Sequence, residues 1–250
     1  MPGKVYAFAN QKGGVGKTTT TVNLAACLAE AGERSLVVDL DPQANATSGL
    51  GMSANGTSSY DLFDGAPLDE LAKPTAFPNL FLVPSKPELA GAAVELAGRE
   101  GGDRYLAESL SHANGFDFVL LDCPPSLGPI TVNALAAADR VIVPVQAEYY
   151  ALEGLAQLMR SINLVRARLN PDLSIAGVLI TMSDARTNLS ADVEREVRKH
   201  FGELVFRTVV PRSVRVAEAP SHGLPVTHYD RRSPGAEAYW KVAMELVERA

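Results

Sequence analysis

The sequence predicts an α/β fold with a doubly wound, mostly parallel sheet and helices on both of its faces. Three observations predict it. Short apolar runs alternate with longer amphipathic stretches along the chain, which is typical of a parallel sheet with crossover helices. The runs 119–121 and 141–145 are apolar at every position, as expected of strands buried on both faces. A glycine-rich loop joins the first apolar run to the first amphipathic stretch.

The predicted elements follow from these patterns. Strands are predicted over the short apolar runs 4–9, 35–39, 80–83, 116–121, 140–145 and 174–181, with two shorter ones at 204–206 and 208–210. Helices are predicted over stretches with apolar residues at helical spacing, 17–31, 86–97, 103–113, 149–169, 188–200 and 234–249. The Gly/Ser/Asn-rich stretch 48–59 is predicted to be a loop. No repeat interrupts the pattern, so we predict one domain over residues 1–250.

Composition limits the class of protein. The chain has 250 residues, of which 46% are hydrophobic and 21% charged, as is ordinary for a soluble protein with a sizeable core. No run approaches the ~18 apolar residues of a membrane helix, and the first strand begins too early for a signal peptide. Two cysteines, Cys27 and Cys123, are too few for a disulfide framework. We therefore expect a cytoplasmic protein.

The charge is unevenly distributed. A net charge of −6 argues against a protein that coats nucleic acid over its whole surface. Residues 186–232, however, hold nine Lys or Arg against six Asp or Glu. Such a local basic surface is enough for salt-sensitive phosphate binding.

The glycine-rich loop has the composition of a phosphate-binding loop. Residues 10–20 lie between a predicted strand and a predicted helix, where backbone N–H groups and the helix dipole favour an anion. Gln11 replaces the first glycine of the usual G-x-x-x-x-G-K-[ST] pattern. We expect Lys17 to reach the β- and γ-phosphates and the Thr18 hydroxyl to hold Mg²⁺. Lys12 is a second lysine, which an ordinary loop of this kind lacks.

Carboxylates follow two of the predicted strands. Asp39 ends the strand at 35–39 and Asp41 follows two residues later, while Asp122 directly follows the apolar run of the strand at 116–121. Ligands of open α/β sheets bind beyond the carboxyl ends of the strands, so we expect these side chains to meet the loop. Asp122 is predicted to hold Mg²⁺, usually through a water. Asp41 is predicted to orient or activate an attacking water, with Asp39 as support and as a further metal candidate.

Six segments together resemble the ParA/Soj-type partition ATPases, a branch of the deviant Walker P-loop family that also includes MinD and the nitrogenase iron protein. They span nearly the whole chain, at 12–19, 39–43, 121–125, 148–154, 184–188 and 210–215. The resemblance implies a P-loop NTPase fold with ATP and Mg²⁺ as cofactors. It also implies slow ATP hydrolysis that a ParB/Spo0J-type centromere-binding protein stimulates.

The resemblance assigns roles to the residues around the nucleotide. It implies that Lys12 reaches across a homodimer interface to phosphates bound by the partner subunit. It implies that Thr19 contacts the α-phosphate, and that Met182 and Pro211 lie near the adenine. The nucleotide contacts expected within the loop are Lys12, Gly13, Gly14, Val15, Gly16, Lys17, Thr18 and Thr19.

The resemblance also implies DNA binding. Arg186 and Arg215 match positions that bind DNA in the partition family, and Lys199 could extend the same surface. Neither arginine segment has a recognition-helix pattern, so contacts to phosphate rather than to bases are expected. The implied function is chromosome or plasmid segregation on the nucleoid, by an ATP-bound dimer that binds double-stranded DNA without sequence preference.

Three alternatives remain at this point. A ParA-like ATPase could position another cargo on the nucleoid, which the sequence barely separates from partition. A MinD-like regulator would need a membrane-binding C-terminal helix, yet acidic residues outnumber basic ones in 236–250, whereas interfacial helices are basic on the polar face. An electron-transfer protein like the nitrogenase iron protein would need cysteines that ligate a cluster, and Cys27 and Cys123 are poorly placed for that.

Overall fold

Seven strands form one sheet in which β1 lies between two parallel neighbours. The computed structural model describes residues 3–99, 101–111, 114–149 and 151–249. The strands are β1 Lys4–Phe8, β2 Ser35–Asp39, β3 Lys73–Pro74, β4 Leu80–Val83, β5 Phe118–Asp122, β6 Arg140–Gln146 and β7 Ser174–Thr181. Their order across the sheet is β3-β4-β2-β5-β1-β6-β7.

Helices connect these strands. The longer ones are α1 Lys17–Glu30, α4 Leu89–Gly98, α5 Tyr105–Ser111, α6 Pro129–Ala137, α7 Ala151–Arg168, α8 Asn188–Phe201 and α11 Pro234–Glu248. The short ones are α2 Asn45–Gly49, α3 Leu68–Leu71, α9 Val214–Glu218 and α10 Val226–Tyr229. Single 3₁₀ turns occur at Asp61–Asp64, Gly202–Leu204 and Ala219–His222.

The sheet is parallel except for β3, which runs antiparallel to β4. Phe8 of β1 and Asp39 of β2 both pair with Asp122 of β5. The carboxyl ends of these three strands are therefore level, at one edge of the sheet. The predicted fold class is confirmed.

Side chains alternate between two cores, one on each face of the sheet. In β1, Val5 and Ala7 belong to one buried cluster, while Tyr6 and Phe8 belong to the other. Helices α4 to α8 contribute to the first cluster, and α1 and α11 to the second. This alternation follows from the period of two along a strand.

Helix α11 packs on α1. Its residues Tyr239, Val242 and Leu246 are at most 1% exposed, and the Tyr239 hydroxyl lies 3.4 Å from the Thr20 hydroxyl. The apolar face that the pattern predicts is thus covered by the protein itself. Across the described ranges, no helix has both the length and the apolar character needed to cross a bilayer.

Several predicted elements differ from those observed. The stretches 204–206 and 208–210 form no strand; Val205 makes only an isolated bridge to Val178. The sequence does not predict helix α6, because its apolar residues are spread around the helix and leave no clear amphipathic period. Residues 112 and 113 of the predicted helix 103–113, and Tyr150 of the segment 148–154, lie outside the described residues.

Candidate functional site

The glycine-rich loop joins β1 to α1 at the carboxyl edge of the sheet. Gly14 and Gly16 adopt φ angles of 74° and 86°, in the left-handed region that favours glycine. Lys17 is the first residue of α1. Left-handed residues in such a loop turn successive N–H groups toward one point and form an anion-binding concavity.

A cavity of about 400 Å³ opens beside the loop. Gly13, Gly14 and Gly16 to Thr19 of the loop line it, whereas Val15, which was also expected to contact the nucleotide, is buried and does not. Asp41 lines it from beyond β2. Met182, which follows β7, lines it opposite Gly16. A volume of this size falls within the range of about 300–1,000 Å³ that is typical of small-molecule sites.

The positive charge of Lys17 is buried and has few hydrogen-bond partners. Only 6% of the residue is exposed, and its ammonium donates a hydrogen bond of 3.2 Å to the Lys12 carbonyl. Burial lowers the pKa of Lys17, an effect that the nearby Asp122 opposes. An anionic group in the cavity would compensate this charge.

Asp122 has an unsatisfied oxygen. The residue is fully buried, and its Oδ1 accepts a hydrogen bond of 3.3 Å from the Thr21 hydroxyl. Its Oδ2 has no hydrogen-bond partner among the described residues. Burial raises the pKa of Asp122 well above its usual value, and the negative charge of Asp39 raises it further.

The residues present fit a Mg²⁺ ion. An orphaned, buried carboxylate oxygen is a strong cation ligand, and Thr18 lines the cavity. In the described part of the chain, no group of three or more His, Cys, Asp or Glu side chains could hold a metal ion without other ligands. This agrees with the general behaviour of Mg²⁺, which takes one or two carboxylates together with substrate phosphates.

Asp39 is occupied by protein donors. Its Oδ2 accepts from the Thr47 backbone N–H at 2.8 Å and from the Thr47 hydroxyl at 2.7 Å. Its Oδ1 accepts from the Asp41 N–H at 3.2 Å. Burial raises the pKa of this carboxyl. The geometry therefore favours a supporting role, in which Asp39 fixes α2 and the turn at Asp41, over that of a direct metal ligand.

Asp41 faces the cavity. It is 7% exposed, and its Oδ1 accepts a hydrogen bond of 3.0 Å from the Gln43 N–H. The turn continues to Ala44, whose φ of 53° is unusual for a residue other than glycine. Strained backbone of this kind clusters at functional sites.

Lys12 lies at the surface beside the loop. Its ammonium forms an ion pair with Glu148 of the same chain at 2.6 Å, and the two side chains are 43% and 44% exposed. Lys12 does not line the cavity. The Lys12 side chain therefore faces the surface and pairs with Glu148 of the same chain.

The positions expected near the adenine differ from each other. Met182 lines the cavity and has a φ of 51°. Pro211 does not line the cavity, although it forms an isolated β-bridge with Ser183, the residue that follows Met182. The sequence analysis missed further lining residues that belong to no motif. Asn23 lies in α1 and Asn45 and Ser48 in α2, close to the predicted segments, while Ala219, Pro220 and Leu224 come from a distant part of the chain.

The basic residues expected to bind DNA are separated by the fold. Arg186 and Arg215 are 87% and 55% exposed, and each forms an ion pair with an acid of its own chain. Lys199 is 70% exposed but lies near the other end of α8. Lys199 is eleven residues after Asn188, which corresponds to about 17 Å along the helix axis. Asn188, and not Lys199, is the end of the helix that is near Arg186. Lys199 thus lies at the opposite end of α8 from Arg186.

A glycine-rich loop before a helix, a buried lysine at the first helical residue and carboxylates at neighbouring strand ends define a P-loop nucleotide-binding protein. Comparison with known proteins agrees. A family model described as AAA domain matches residues 3–175. The chromosome-partitioning ATPase Soj of Thermus thermophilus is 56% identical over 243 residues, covering 97% of this chain and 95% of that protein.

Other relatives are similar over nearly the full length. The sporulation initiation inhibitor protein Soj of Bacillus subtilis is 52% identical over 249 residues, 98% of each chain. The chromosome partitioning protein ParA of Caulobacter vibrioides is 49% identical over 254 residues, covering 99% of this chain and 95% of that protein. The chain belongs to the Soj/ParA family of chromosome-partitioning ATPases.

Solved structures show the same fold. A structure named cobyrinic acid a,c-diamide synthase from Mycobacterium smegmatis, with bound ADP and magnesium, is 38% identical with a TM-score of 0.86. The match covers 98% of this chain and 94% of that one. The cell division ATPase MinD of Pyrococcus furiosus is 27% identical with a TM-score of 0.81, covering 99% and 100% of the two chains.

Proposed function

We propose that this chain is a Mg²⁺-dependent ATPase that drives chromosome or plasmid segregation as an ATP-bound dimer. The dimer binds double-stranded DNA without sequence preference, and a ParB-type centromere-binding protein stimulates hydrolysis. The protein works in the cytoplasm, on the nucleoid. The observation that carries the ATPase assignment is the buried, poorly compensated Lys17 in the lining of the cavity. The orphaned Asp122 oxygen lies in the buried layer behind it, since the Thr21 hydroxyl contacts both the Lys17 carbonyl and Asp122.

The proposed catalytic roles are supported by position: Lys17, Thr18, Thr19 and Asp41 line the cavity, whereas Asp122 and Asp39 are buried outside its lining. Lys17 and the loop N–H groups bind the β- and γ-phosphates, and Thr19 contacts the α-phosphate. Thr18 and Asp122 hold Mg²⁺, which when bound neutralises charge on the phosphates. Asp41 orients the attacking water, and Asp39 holds Asp41 through its backbone N–H. Phosphoryl transfer depends mostly on such positioning and electrostatics.

Dimerisation would complete the site through Lys12. Its side chain is 43% exposed, and its ammonium pairs with the carboxylate of Glu148, a side chain that is 44% exposed. Exposed ion pairs of this kind contribute little, so the lysine can exchange Glu148 for the phosphates of a partner subunit. ATP then lies between two chains, and its hydrolysis removes a major contact of the interface.

Two arginines are proposed to form the DNA surface. The segment after β7 bonds to the segment before α9, since the Arg212 N–H donates to the Ser183 carbonyl at 2.9 Å. Arg186 follows the first segment, and Arg215 lies in α9, directly after the second. The bond supports placing both arginines on one surface, where they would bind phosphates.

Charge reversal tests this surface. We expect Arg186→Glu and Arg215→Glu each to weaken DNA binding in ATP by about tenfold or more at low salt, because each exchanges attraction to phosphate for repulsion. The control is Arg195→Glu, which reverses an exposed arginine paired with Asp192 on α8. Filter retention gives DNA binding and light scattering gives the mass. Retention that survives both reversals would remove these residues from the interface.

Two kinds of cargo, a chromosome or plasmid and some other assembly, are compatible with this site. A ParA-like ATPase that positions another cargo would share this site, and a neighbouring gene for a ParB-type protein would favour partition. The names of the relatives at 52% and 56% identity favour partition over the amide synthesis named for a structure at 38%. A MinD-like membrane role is disfavoured because the apolar face of α11 is buried on α1.

A further inference from the structure

Arg186 is engaged by a carboxylate two residues before it. Asp184 Oδ1 accepts from the Arg186 Nε at 2.9 Å, and Oδ2 accepts from its Nη2 at 2.7 Å. The Asp184 oxygen Oδ1 also accepts from the Arg186 backbone N–H at 3.0 Å. These bonds lower the pKa of Asp184 below its usual range, so the acid is charged at neutral pH. The pair together carries no net charge.

Arg215 is engaged in a similar way. Its Nη1 donates to Glu218 Oε2 at 3.0 Å, and its Nε lies 3.4 Å from Asp230 Oδ2. The Tyr229 hydroxyl donates to the same Glu218 oxygen at 3.3 Å. The charge of this second arginine is therefore also compensated within the chain.

Both acids lie next to residues that line the nucleotide cavity. Met182 lines the cavity two residues before Asp184, in a left-handed conformation that is strained for methionine. Ala219 and Pro220 line it immediately after Glu218. A change of backbone at either point therefore reaches an acid within two residues.

The two segments are also tied to each other. Ser183 donates its N–H to the Val210 carbonyl at 3.2 Å and accepts from the Arg212 N–H at 2.9 Å. A shift at Met182 would pass through these bonds to the chain that leads into α9. The two ion pairs can thus respond together to one event in the cavity.

We propose that Asp184 and Glu218 are positioning residues that hold Arg186 and Arg215 on their own chain until nucleotide binds. Nucleotide contact at Met182, Ala219 and Pro220 shifts both acids and frees the guanidinium groups for DNA phosphates. This rests on the proposed function, whose DNA-binding arginines it uses. Exposed ion pairs are weak enough to exchange partners, while an acid left beside a phosphate would repel it.

Neutral variants of the two acids test the proposal. Asp184→Asn keeps an oxygen for the Arg186 N–H, and Glu218→Gln keeps the side-chain length. The matched control is Glu196→Gln, whose partner Lys199 lies 3.7 Å away near the far end of α8. All three raise the net charge by one. The probe is a duplex of random sequence, titrated without nucleotide, with ADP and with ATP at one fixed low salt concentration.

We expect each acid variant to tighten DNA binding without nucleotide or in ADP by about three- to tenfold, and the double variant by more. The control should change it by less than about twofold. The gain in ATP should be smaller, so that the ratio of ATP to nucleotide-free affinity shrinks. If Asp184→Asn does not fold, Glu218→Gln carries the same test at the other pair.

Three results would contradict the proposal or the function on which it rests, and each can be told from the others. An equal gain for Glu196→Gln would mean that net charge alone acts, and would overturn the proposal. Unchanged binding by both acid variants, in a protein that binds DNA with ATP, would also overturn it while leaving the proposed function intact. If the wild-type protein fails to bind DNA even with ATP, the proposed function itself fails.

Discussion

The two edges of the sheet handle buried charge in opposite ways. At the carboxyl edge, Asp122 keeps an oxygen without a partner among the described residues, and Lys17 donates to a single carbonyl. At the amino edge, Glu245 is 3% exposed and has several donors. Both edges contain a cavity lined by charged residues.

Charge at the amino edge is compensated locally. Glu245 accepts from the N–H groups of Arg207 at 2.8 Å and Thr208 at 3.2 Å, and from Arg249 at 2.7 Å. Burial raises the pKa of Glu245, but these hydrogen bonds outweigh it and the pKa is lowered. Arg249 also donates to the carbonyls of Ala176 and Val205 at 3.2 and 3.0 Å. The network fastens α11 to the start of β7.

The difference shows that size does not identify the site. The amino-edge cavity, at about 650 Å³, is larger than the 400 Å³ cavity beside the glycine loop. Within the described residues, the smaller cavity is lined by a non-glycine residue with a left-handed backbone, Met182, and the larger one by none. The orphaned Asp122 oxygen lies at the same edge of the sheet as the smaller cavity. Such features persist where a ligand completes the balance.

The largest effect is expected at the loop. Lys17→Ala should reduce ATP turnover by about 10³-fold or more and weaken ATP binding, because the cation that binds the β- and γ-phosphates is removed. Phosphate release and nucleotide titration measure the two effects. Since Lys17 is buried without full compensation, the variant should also unfold no more easily than the wild-type protein in the absence of nucleotide.

The matched substitution at the other edge should do the reverse. Glu245→Gln should lower the free energy of unfolding by about 1–3 kcal/mol, because a charged acceptor is lost from a buried network. ATP turnover per folded molecule should stay within about twofold of wild type, since Glu245 lies away from the cavity beside the glycine-rich loop. Denaturant titration and phosphate release separate the two. A large loss of turnover without loss of stability would break the contrast between the edges.

An intermediate effect is expected at Asp41. Asp41→Ala should leave ATP binding intact and slow hydrolysis by about 10²-fold, the usual contribution of a group that positions or deprotonates water. Binding is measured by titration and hydrolysis by phosphate release. Unchanged turnover would remove Asp41 from the mechanism, and lost binding would make it a ligand of the nucleotide.

A further effect concerns how the stability of the protein depends on pH. Because burial raises the folded-state pKa of Asp122, the folded protein holds this proton more tightly than the unfolded chain. Its stability therefore falls as pH rises from about 4 through the folded pKa, by at most about 1.4 kcal/mol per pH unit for one group. Asp122→Asn lacks this proton, so its stability relative to wild type should increase with pH.

Denaturant titrations of both proteins without nucleotide, from pH 4.5 to 7.5, measure this difference. A difference that stays constant over that range would show that Asp122 is not a strained buried acid. Addition of ATP and Mg²⁺ should favour the wild-type protein, since only the carboxylate is a good Mg²⁺ ligand.

Features that depend on local pattern could be predicted from the sequence. The strands 35–39, 80–83 and 174–181 coincide with β2, β4 and β7, because buried parallel strands are continuous apolar runs. The loop from Lys12 to Thr19 was identifiable because phosphate binding needs glycines and a lysine at fixed spacing. Level strand ends then brought Asp39 and Asp122 together as expected.

Features that depend on tertiary contacts could not be predicted from the sequence. Ala219 and Pro220 line the cavity only because the chain returns there some two hundred residues after the loop. The partners of Arg186 and Arg215 could not be inferred, because a charged residue near an arginine is usually a solvated neighbour. The helix α6 has no amphipathic period, so its buried environment rather than its sequence pattern identifies it.

The central claim is that ATP joins two chains through a site that Lys12 completes in the partner. Light scattering of the Asp41→Ala protein in ATP and in ADP, with and without an added Lys12→Ala change, tests it most directly. We expect a 26.6 kDa monomer in ADP, twice that mass in ATP, and a monomer in both states once Lys12 is replaced. A monomer in ATP with Lys12 present, at saturating nucleotide, would contradict it.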